Sequence, residues 1–74
     1  MWIKGSKSDT VINLDKCSYI DFVEARNKRI LARFHTLDNN YNVIGVPNGM
    51  SREDFISSIM SRISNTLYYE VEEG

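Results

Sequence analysis

Two side chains of this sequence are candidates for catalytic chemistry, because His35 is the only histidine and Cys17 the only cysteine. A histidine can serve as a general base or as a pH switch, and an enzyme would need His35 beside a carboxylate such as Asp21. No second histidine or organising acid lies near Cys17 in the sequence. We therefore interpret His35 as a half-exposed strand residue and Cys17 as a structural thiol, and we predict no catalytic residue.

Metal and cofactor sites are not indicated either. One cysteine and one histidine cannot supply the four ligands of a zinc site. Most aspartates lie in turn-like segments, where this residue is favoured for backbone reasons, and their spacing matches neither a calcium loop nor a catalytic dyad. The glycines form no phosphate-binding pattern of the G-x-x-x-x-G-K-[ST] or G-x-G-x-x-G type. We expect no metal ion and no cofactor.

The stretch EARNKRILARFH, residues 24–35, holds most of the locally concentrated charge. Arg26, Lys28 and Arg29 would contact phosphates in a nucleic-acid-binding module, with Arg33 on the following strand and Tyr41 available for stacking. The formal net charge of −1 argues against a protein built globally for nucleic acid. A small nucleic-acid-binding module that uses the basic hairpin 26–33 is therefore the alternative function.

The hydrophobic pattern changes once, near residue 50. Short β-rich runs separated by turn residues precede that point, as in an antiparallel meander, and they cover about residues 2–4, 10–14, 17–25, 29–37 and 41–46. The sequence predicts a single α+β domain over 1–74, with a four-stranded, possibly five-stranded, antiparallel β-meander packed against one C-terminal amphipathic α-helix.

The predicted helix covers residues 52–65. Ser51 is a suitable N-cap and Asp54 follows three residues later, a variant of the capping box. Apolar side chains then recur at helical spacing and form one stripe, made of Phe55, Ile56, Ile59, Met60 and Ile63. Residues 66–74 form a tail, in which 67–71 is a possible extra strand and the two glutamates that follow are expected to fray.

A register argument divides the sheet into two faces. A three-residue loop at 26–28, with Asn27 or Lys28 in the left-handed conformation, places Ile20 opposite Phe34 and Asp21 opposite Arg33. A turn at 38–40 would then place Leu37 opposite Tyr41. One face collects Ile20, Phe22, Ala32, Phe34, Ile44 and Val46, and it would cover the helix stripe. A slip of one residue would exchange the two faces.

The opposite face mixes aliphatic residues and tyrosines with arginine, a composition enriched in protein–protein interfaces. Its candidate partner or oligomer residues are Tyr19, Val23, Leu31, Arg33, Leu37, Tyr41 and Val43. A domain of 74 residues without a disulfide is marginally stable, so association is a plausible source of further burial. We expect a non-enzymatic protein–protein interaction module that forms a homo-oligomer or binds a host protein.

The start of the chain supports a resemblance. The residues Trp2-Ile3-Lys4, a short polar turn and then Asn13-Leu14-Asp15 resemble small uncharacterised proteins of low-GC Gram-positive bacteria and their phages. The resemblance implies a phage or prophage accessory protein, or an inhibitor of a host protein, and it implies no particular chemistry. The arrangement also resembles a shortened pleckstrin-homology-like sheet with a C-terminal helix. A lone cysteine and the absence of a long apolar run predict a cytoplasmic protein without membrane contact.

Overall fold

The computed structural model describes residues 1–74 and contains six β-strands and one α-helix. In chain order these are β1 (Trp2–Gly5), β2 (Val11–Asn13), β3 (Cys17–Glu24), β4 (Ile30–Thr36), β5 (Tyr41–Gly45), α1 (Arg52–Met60) and β6 (Tyr68–Val71). The predicted α+β class is confirmed. The helix, nine residues long, is too short to cross a bilayer.

The strands form two three-stranded sheets, with the orders β2-β1-β6 and β3-β4-β5, so the prediction of a single meander is wrong. The break lies between β2 and β3, where the chain makes a 3-10 turn at Leu14–Lys16. Contacts of this turn tie it to the N-terminus: Leu14 N–H donates to the Met1 carbonyl at 3.0 Å, and the Asp15 carboxylate lies 3.7 Å from the N-terminal ammonium. The chain therefore leaves the first sheet before β3 begins.

The tail forms the sixth strand, but it does not extend the predicted meander. β6 runs parallel to β1, with Ile3 opposite Tyr69 and Gly5 opposite Val71. Trp2 N–H donates to the Leu67 carbonyl at 2.8 Å at the start of this pair. A parallel pair requires a long crossover, and here almost the whole chain separates the two strands. The period-two pattern buries Ile3 and Val71 on one face of the sheet.

The register predicted for the first hairpin is confirmed. Ile20 lies opposite Phe34, Asp21 opposite Arg33 and Val23 opposite Leu31. The loop occupies Arg26–Lys28, and Asn27 and Lys28 have φ values of 65° and 61°. A left-handed conformation is tolerated best by glycine and asparagine, so the sequence Arg-Asn-Lys closes this loop with Lys28 in an uncommon conformation.

The second hairpin differs from its prediction by two residues. His35, not Leu37, lies opposite Tyr41, and the loop is formed by residues 37–39. Thr36 accounts for the earlier turn, because its hydroxyl donates to the Asp38 carboxylate and its N–H donates to the Asn40 carbonyl at 2.9 Å. A shift of two residues keeps every side chain on its predicted face. Leu37, however, moves from the strand to the turn.

The helix begins as predicted and ends early. The Ser51 hydroxyl accepts the Asp54 N–H at 3.0 Å, which confirms the N-cap, but α1 stops at Met60 instead of residue 65. Serine and arginine side chains near its end donate to main-chain carbonyls, with Ser61 Oγ and Arg62 Nη1 both directed at the Ser58 carbonyl at 3.0 and 2.6 Å. Such bonds compete with continued helix formation.

One hydrophobic core joins both sheets and the helix. Nine buried residues form it: Ile3, Ile12, Ala32, Phe34, Ile44, Val46, Phe55, Ile59 and Val71. Phe55 of α1 lies edge-to-face with Phe34 and with the half-buried Phe22, at ring-centroid distances of 6.5 and 6.2 Å. The predicted inner face of the β3-β4-β5 sheet is therefore confirmed as the surface that receives the helix.

Candidate interaction surface

The opposite face of the β3-β4-β5 sheet, here called the outer face, consists of three rows that run across the strands. They are an aromatic row (Tyr19, His35, Tyr41), a charged row (Asp21, Arg33, Val43) and an apolar row (Val23, Leu31, Gly45). Period-two alternation on three neighbouring strands produces this arrangement. The predicted partner residues lie on it with one exception: Leu37 sits in the β4–β5 turn, 87% exposed and off the sheet.

The two charged residues of the charged row form a hydrogen-bonded network with His35 of the aromatic row. Arg33 donates from Nε to Asp21 Oδ1 at 2.7 Å and from Nη2 to Asp21 Oδ2 at 2.5 Å, a bidentate pair. His35 Nε2 lies 2.9 Å from the same Oδ1. Bidentate arginine–carboxylate pairs fix geometry as well as charge. The predicted position of Asp21 opposite Arg33 is therefore confirmed, and the guanidinium has a partner inside the chain.

The protonation states follow from these contacts. The Arg33 hydrogen bonds, aided by His35, lower the pKa of Asp21 to about 2. The same pairing raises the pKa of Arg33 above its ordinary value. Asp21 is therefore a carboxylate and Arg33 a cation throughout the neutral range, and a carboxylate with so low a pKa is a weak base.

The aromatic row holds His35 between two tyrosines. The Tyr19 and His35 rings are stacked with centroids 4.1 Å apart and planes 8° from parallel. Tyr41 lies on the other side, 5.3 Å from the His35 ring centre, and the Arg33 guanidinium lies 5.3 Å from the Tyr41 ring centre. Contacts with neighbours therefore hold every side chain of this row in place, while Tyr19 and Tyr41 stay 57% and 51% exposed.

Cys17, at the start of β3, packs against the hydrophobic core and is not activated. Its thiol donates to the Tyr19 carbonyl at 3.4 Å, and burial raises the pKa of the Cys17 thiol. The nucleophilic form of cysteine is the thiolate, so this residue is a poor nucleophile at neutral pH. The structure brings His35 and Asp21 together, as an enzyme would need. The Arg33 guanidinium, however, is hydrogen-bonded to the same Asp21 carboxylate.

The basic hairpin adjoins the apolar row of the outer face, because the Arg29 guanidinium lies against Gly45. Arg26, Lys28 and Arg29 are exposed at the tip of the β3–β4 hairpin, and none of them belongs to an ion pair of the chain. A shallow pocket of about 130 Å³ lies between this tip and the loop 46–50. The charge that the sequence concentrates here is thus available to an anionic partner.

A second aromatic patch was not predicted. Trp2 and Tyr68 are neighbours on the exposed side of the β2-β1-β6 sheet, where they are about half exposed, and Val11 lies on the same side. The tryptophan was visible in the sequence, but Tyr68 joins it only through the parallel pairing of β1 with β6. No local sequence pattern indicates the long-range pairing of β1 with β6.

No cluster of three or more potential metal ligands occurs in the structure. Comparisons of the chain with protein-family models, with curated proteins and with solved structures give no match.

Proposed function

We propose that this chain is a non-enzymatic protein–protein interaction module that associates with a second copy of itself through the outer face. The observation that carries the proposal is a set of ordered side chains on one sheet face, the exposed Tyr19, Tyr41 and Val43 beside the half-buried Arg33. Tyrosine and arginine dominate the energetics of protein interfaces, and solvated sheet faces ordinarily carry polar residues instead.

The order of this surface favours binding. A side chain that becomes fixed on association loses about 0.5–1.5 kcal/mol of conformational free energy. Here the Arg33 guanidinium is already held by Asp21, and the Tyr19 ring by its stack on His35. These two side chains are therefore already ordered in the free chain, and association does not incur this loss of conformational free energy for them. Two copies packed through their outer faces would form a sandwich of two sheets, about 10 Å apart.

The test is the mass of the chain in solution, measured by light scattering across a range of concentrations. We expect masses above that of one chain, and we expect Val43→Lys to lower them because it places a charge inside the interface. Val43 is 38% exposed, so lysine can be accommodated by the folded chain. Leu31→Lys is a second variant on the same face.

Val11→Lys is the matched control, since Val11 is also an exposed strand valine but lies on the other sheet. This change should leave the mass unaltered. The proposal is wrong if the chain is monomeric at every concentration, or if Val43→Lys and the unchanged chain have the same mass. A loss of association in Val11→Lys alone would transfer the interface to the face of Trp2 and Tyr68.

The unpaired cations of the hairpin favour a second candidate function, nucleic-acid binding. Replacement of Arg26, Lys28 and Arg29 by glutamate should then abolish binding to DNA and RNA oligonucleotides. In the unchanged chain, affinity should fall with salt along a slope set by a few phosphates. Arg33→Gln is the control, because this arginine is already paired with Asp21. Equal binding by the charge-reversed and unchanged chains would eliminate this function.

A further inference from the structure

The loop between β5 and α1 contains an asparagine followed by a glycine, Asn48-Gly49, a pair that occurs once in the chain. It lies in a β-turn that the Met50 N–H closes by donating to the Pro47 carbonyl at 3.1 Å. Gly49 has a φ of 79°, as the third residue of a type II turn requires. The turn therefore explains the glycine, but it does not require an asparagine before it.

The main-chain nitrogen of Gly49 is open to approach. Gly49 lies outside every helix and strand, and its N–H donates to no other group of the chain. The residue is exposed, and a Cβ atom at this position would meet nothing within 4 Å. An amide nitrogen is a weak nucleophile, so its reactivity depends on free access. Neither a hydrogen bond nor a side chain obstructs the nitrogen here.

The Asn48 side chain is exposed and takes part in no hydrogen bond, unlike that of Asn13, whose Oδ1 accepts the Asp15 N–H at 3.0 Å. Asn48 Oδ1 lies against Gly74 of the C-terminal tail, where a Cβ atom would collide with it. No hydrogen bond therefore has to break before the Asn48 amide turns towards the Gly49 nitrogen.

We propose that Asn48 is a site of spontaneous modification, at which the Gly49 nitrogen converts the side-chain amide into a carboxylate. The nitrogen forms a bond to Cγ of Asn48 and gives up its proton. The Cγ–Nδ2 bond breaks, and Nδ2 leaves with that proton as ammonia. Water then opens the cyclic imide, giving aspartate if it attacks the Cγ carbonyl and isoaspartate if it attacks the main-chain carbonyl. The reaction needs no oxidant or reductant.

The product places a negative charge beside the basic hairpin. Asn48 lines the pocket of about 130 Å³ together with Lys28 and Arg29, and no acidic residue lines it. Conversion adds one negative charge to the formal net charge of −1. Isoaspartate also lengthens the main chain by one carbon atom within a tight turn, just before the helix cap at Ser51. The modification thus changes both the charge near the hairpin cations and the loop that leads into α1.

Asn39 is the matched internal control. It is exposed, and it lies in the β4–β5 turn with a φ of 66°. The residue that follows it is Asn40, however, whose side chain hinders attack by its own main-chain nitrogen. The two asparagines therefore share exposure and turn geometry in kind, but only Asn48 precedes a glycine.

The experiment incubates the full chain at neutral pH and physiological temperature, with and without urea. Proteolytic digestion and mass spectrometry then quantify amide, aspartate and isoaspartate at each asparagine. We expect Asn48 to convert in the folded chain at least about tenfold faster than Asn39, which corresponds to a barrier lower by about 1.4 kcal/mol. Isoaspartate should be among the products, since direct hydrolysis of the side chain yields aspartate alone. Isoelectric focusing should show the added negative charge.

Gly49→Asn provides the matched variant, because it makes residues 48–49 identical to the Asn39-Asn40 pair. Asparagine also tolerates a positive φ better than most residues. We expect conversion at Asn48 to fall to the rate at Asn39. The proposal is overturned if Asn48 converts no faster than Asn39, if conversion requires urea, if no isoaspartate forms, or if Gly49→Asn converts as fast as the unchanged chain. These results are independent of the proposed outer-face association.

Discussion

The Glu73 carboxylate connects the two sheets by accepting the Gly45 N–H at the edge of β5. Its Oε1 lies 2.6 Å from Gly45 N, and its Oε2 accepts the Lys7 N–H at 2.8 Å from the segment that follows β1. The Glu73 N–H in turn donates to Ser6 Oγ at 3.0 Å. The sequence predicts a frayed tail here, and that prediction is wrong: the tail is a clamp between the sheets.

Replacement of Glu73 by alanine should therefore destabilise the fold. The change leaves two main-chain N–H groups without their charged acceptor, and we expect the free energy of unfolding to fall by about 1–2 kcal/mol. Urea denaturation followed by circular dichroism measures it. Glu72→Ala is the control, since Glu72 is exposed and makes no hydrogen bond or ion pair. Equal stabilities of the two variants would contradict the clamp.

Most of the local structure could be predicted from the sequence, because local patterns determine it. Strand alternation, the Ser51 cap and the loop at 26–28 all depend on neighbouring residues. The division into two sheets could not be predicted in the same way. It depends on the pairing of β6 with β1, between residues at opposite ends of the chain, and on the contact of the N-terminal ammonium with Asp15.

The outer face could be predicted for a different reason. The pairing of Asp21 with Arg33 follows directly from the length of the first hairpin loop. His35 and Tyr41 became neighbours only through the turn formed by Thr36 and Asp38. Because that turn shifted the register by two residues, the side chains kept their face but exchanged partners. Face composition was therefore predictable, while the His35 contacts were not.

The left-handed conformation of Lys28 predicts a specific response to substitution. Lys28→Val should lower the free energy of unfolding by about 1–2 kcal/mol, because a β-branched residue is strained at a φ of 61°. Lys28→Gly removes the strain and should be neutral or stabilising. Thermal unfolding of both variants tests the loop. Equal destabilisation by valine and glycine would show that the charge of Lys28, not its conformation, matters.

The helix cap gives a second prediction with an internal control. Ser51→Ala removes the acceptor of the Asp54 N–H and should lower the free energy of unfolding by about 1 kcal/mol. Ser57→Ala lies at an exposed position within α1, where alanine is the better helix former, so it should raise stability by a few tenths of a kcal/mol. Chemical denaturation compares the two serines. The cap would be refuted if both changes shifted stability in the same direction.

The low pKa of Asp21 predicts how stability depends on pH. Its pKa is about 2 in the folded chain and about 3.9 in an unfolded one. A carboxylate whose pKa is depressed by folding stabilises the fold above the unfolded value. That contribution is lost as the pH falls through the folded value. The contribution from Asp21 is therefore complete near neutral pH and disappears between about pH 4 and pH 2.

Asp21→Asn removes this titration, so its free energy of unfolding should lie below that of the unchanged chain at pH 7 and approach it as the pH falls towards 2. Denaturant unfolding at a series of pH values provides the comparison.

Other carboxylates, including Asp38 with its own lowered pKa, titrate in both chains and cancel in the difference. Asp9→Asn, at an exposed position without an ion pair, should give a curve that follows the unchanged chain. A difference between Asp21→Asn and the unchanged chain that stays constant from pH 7 to pH 2 would mean that the Asp21 charge contributes nothing through Arg33.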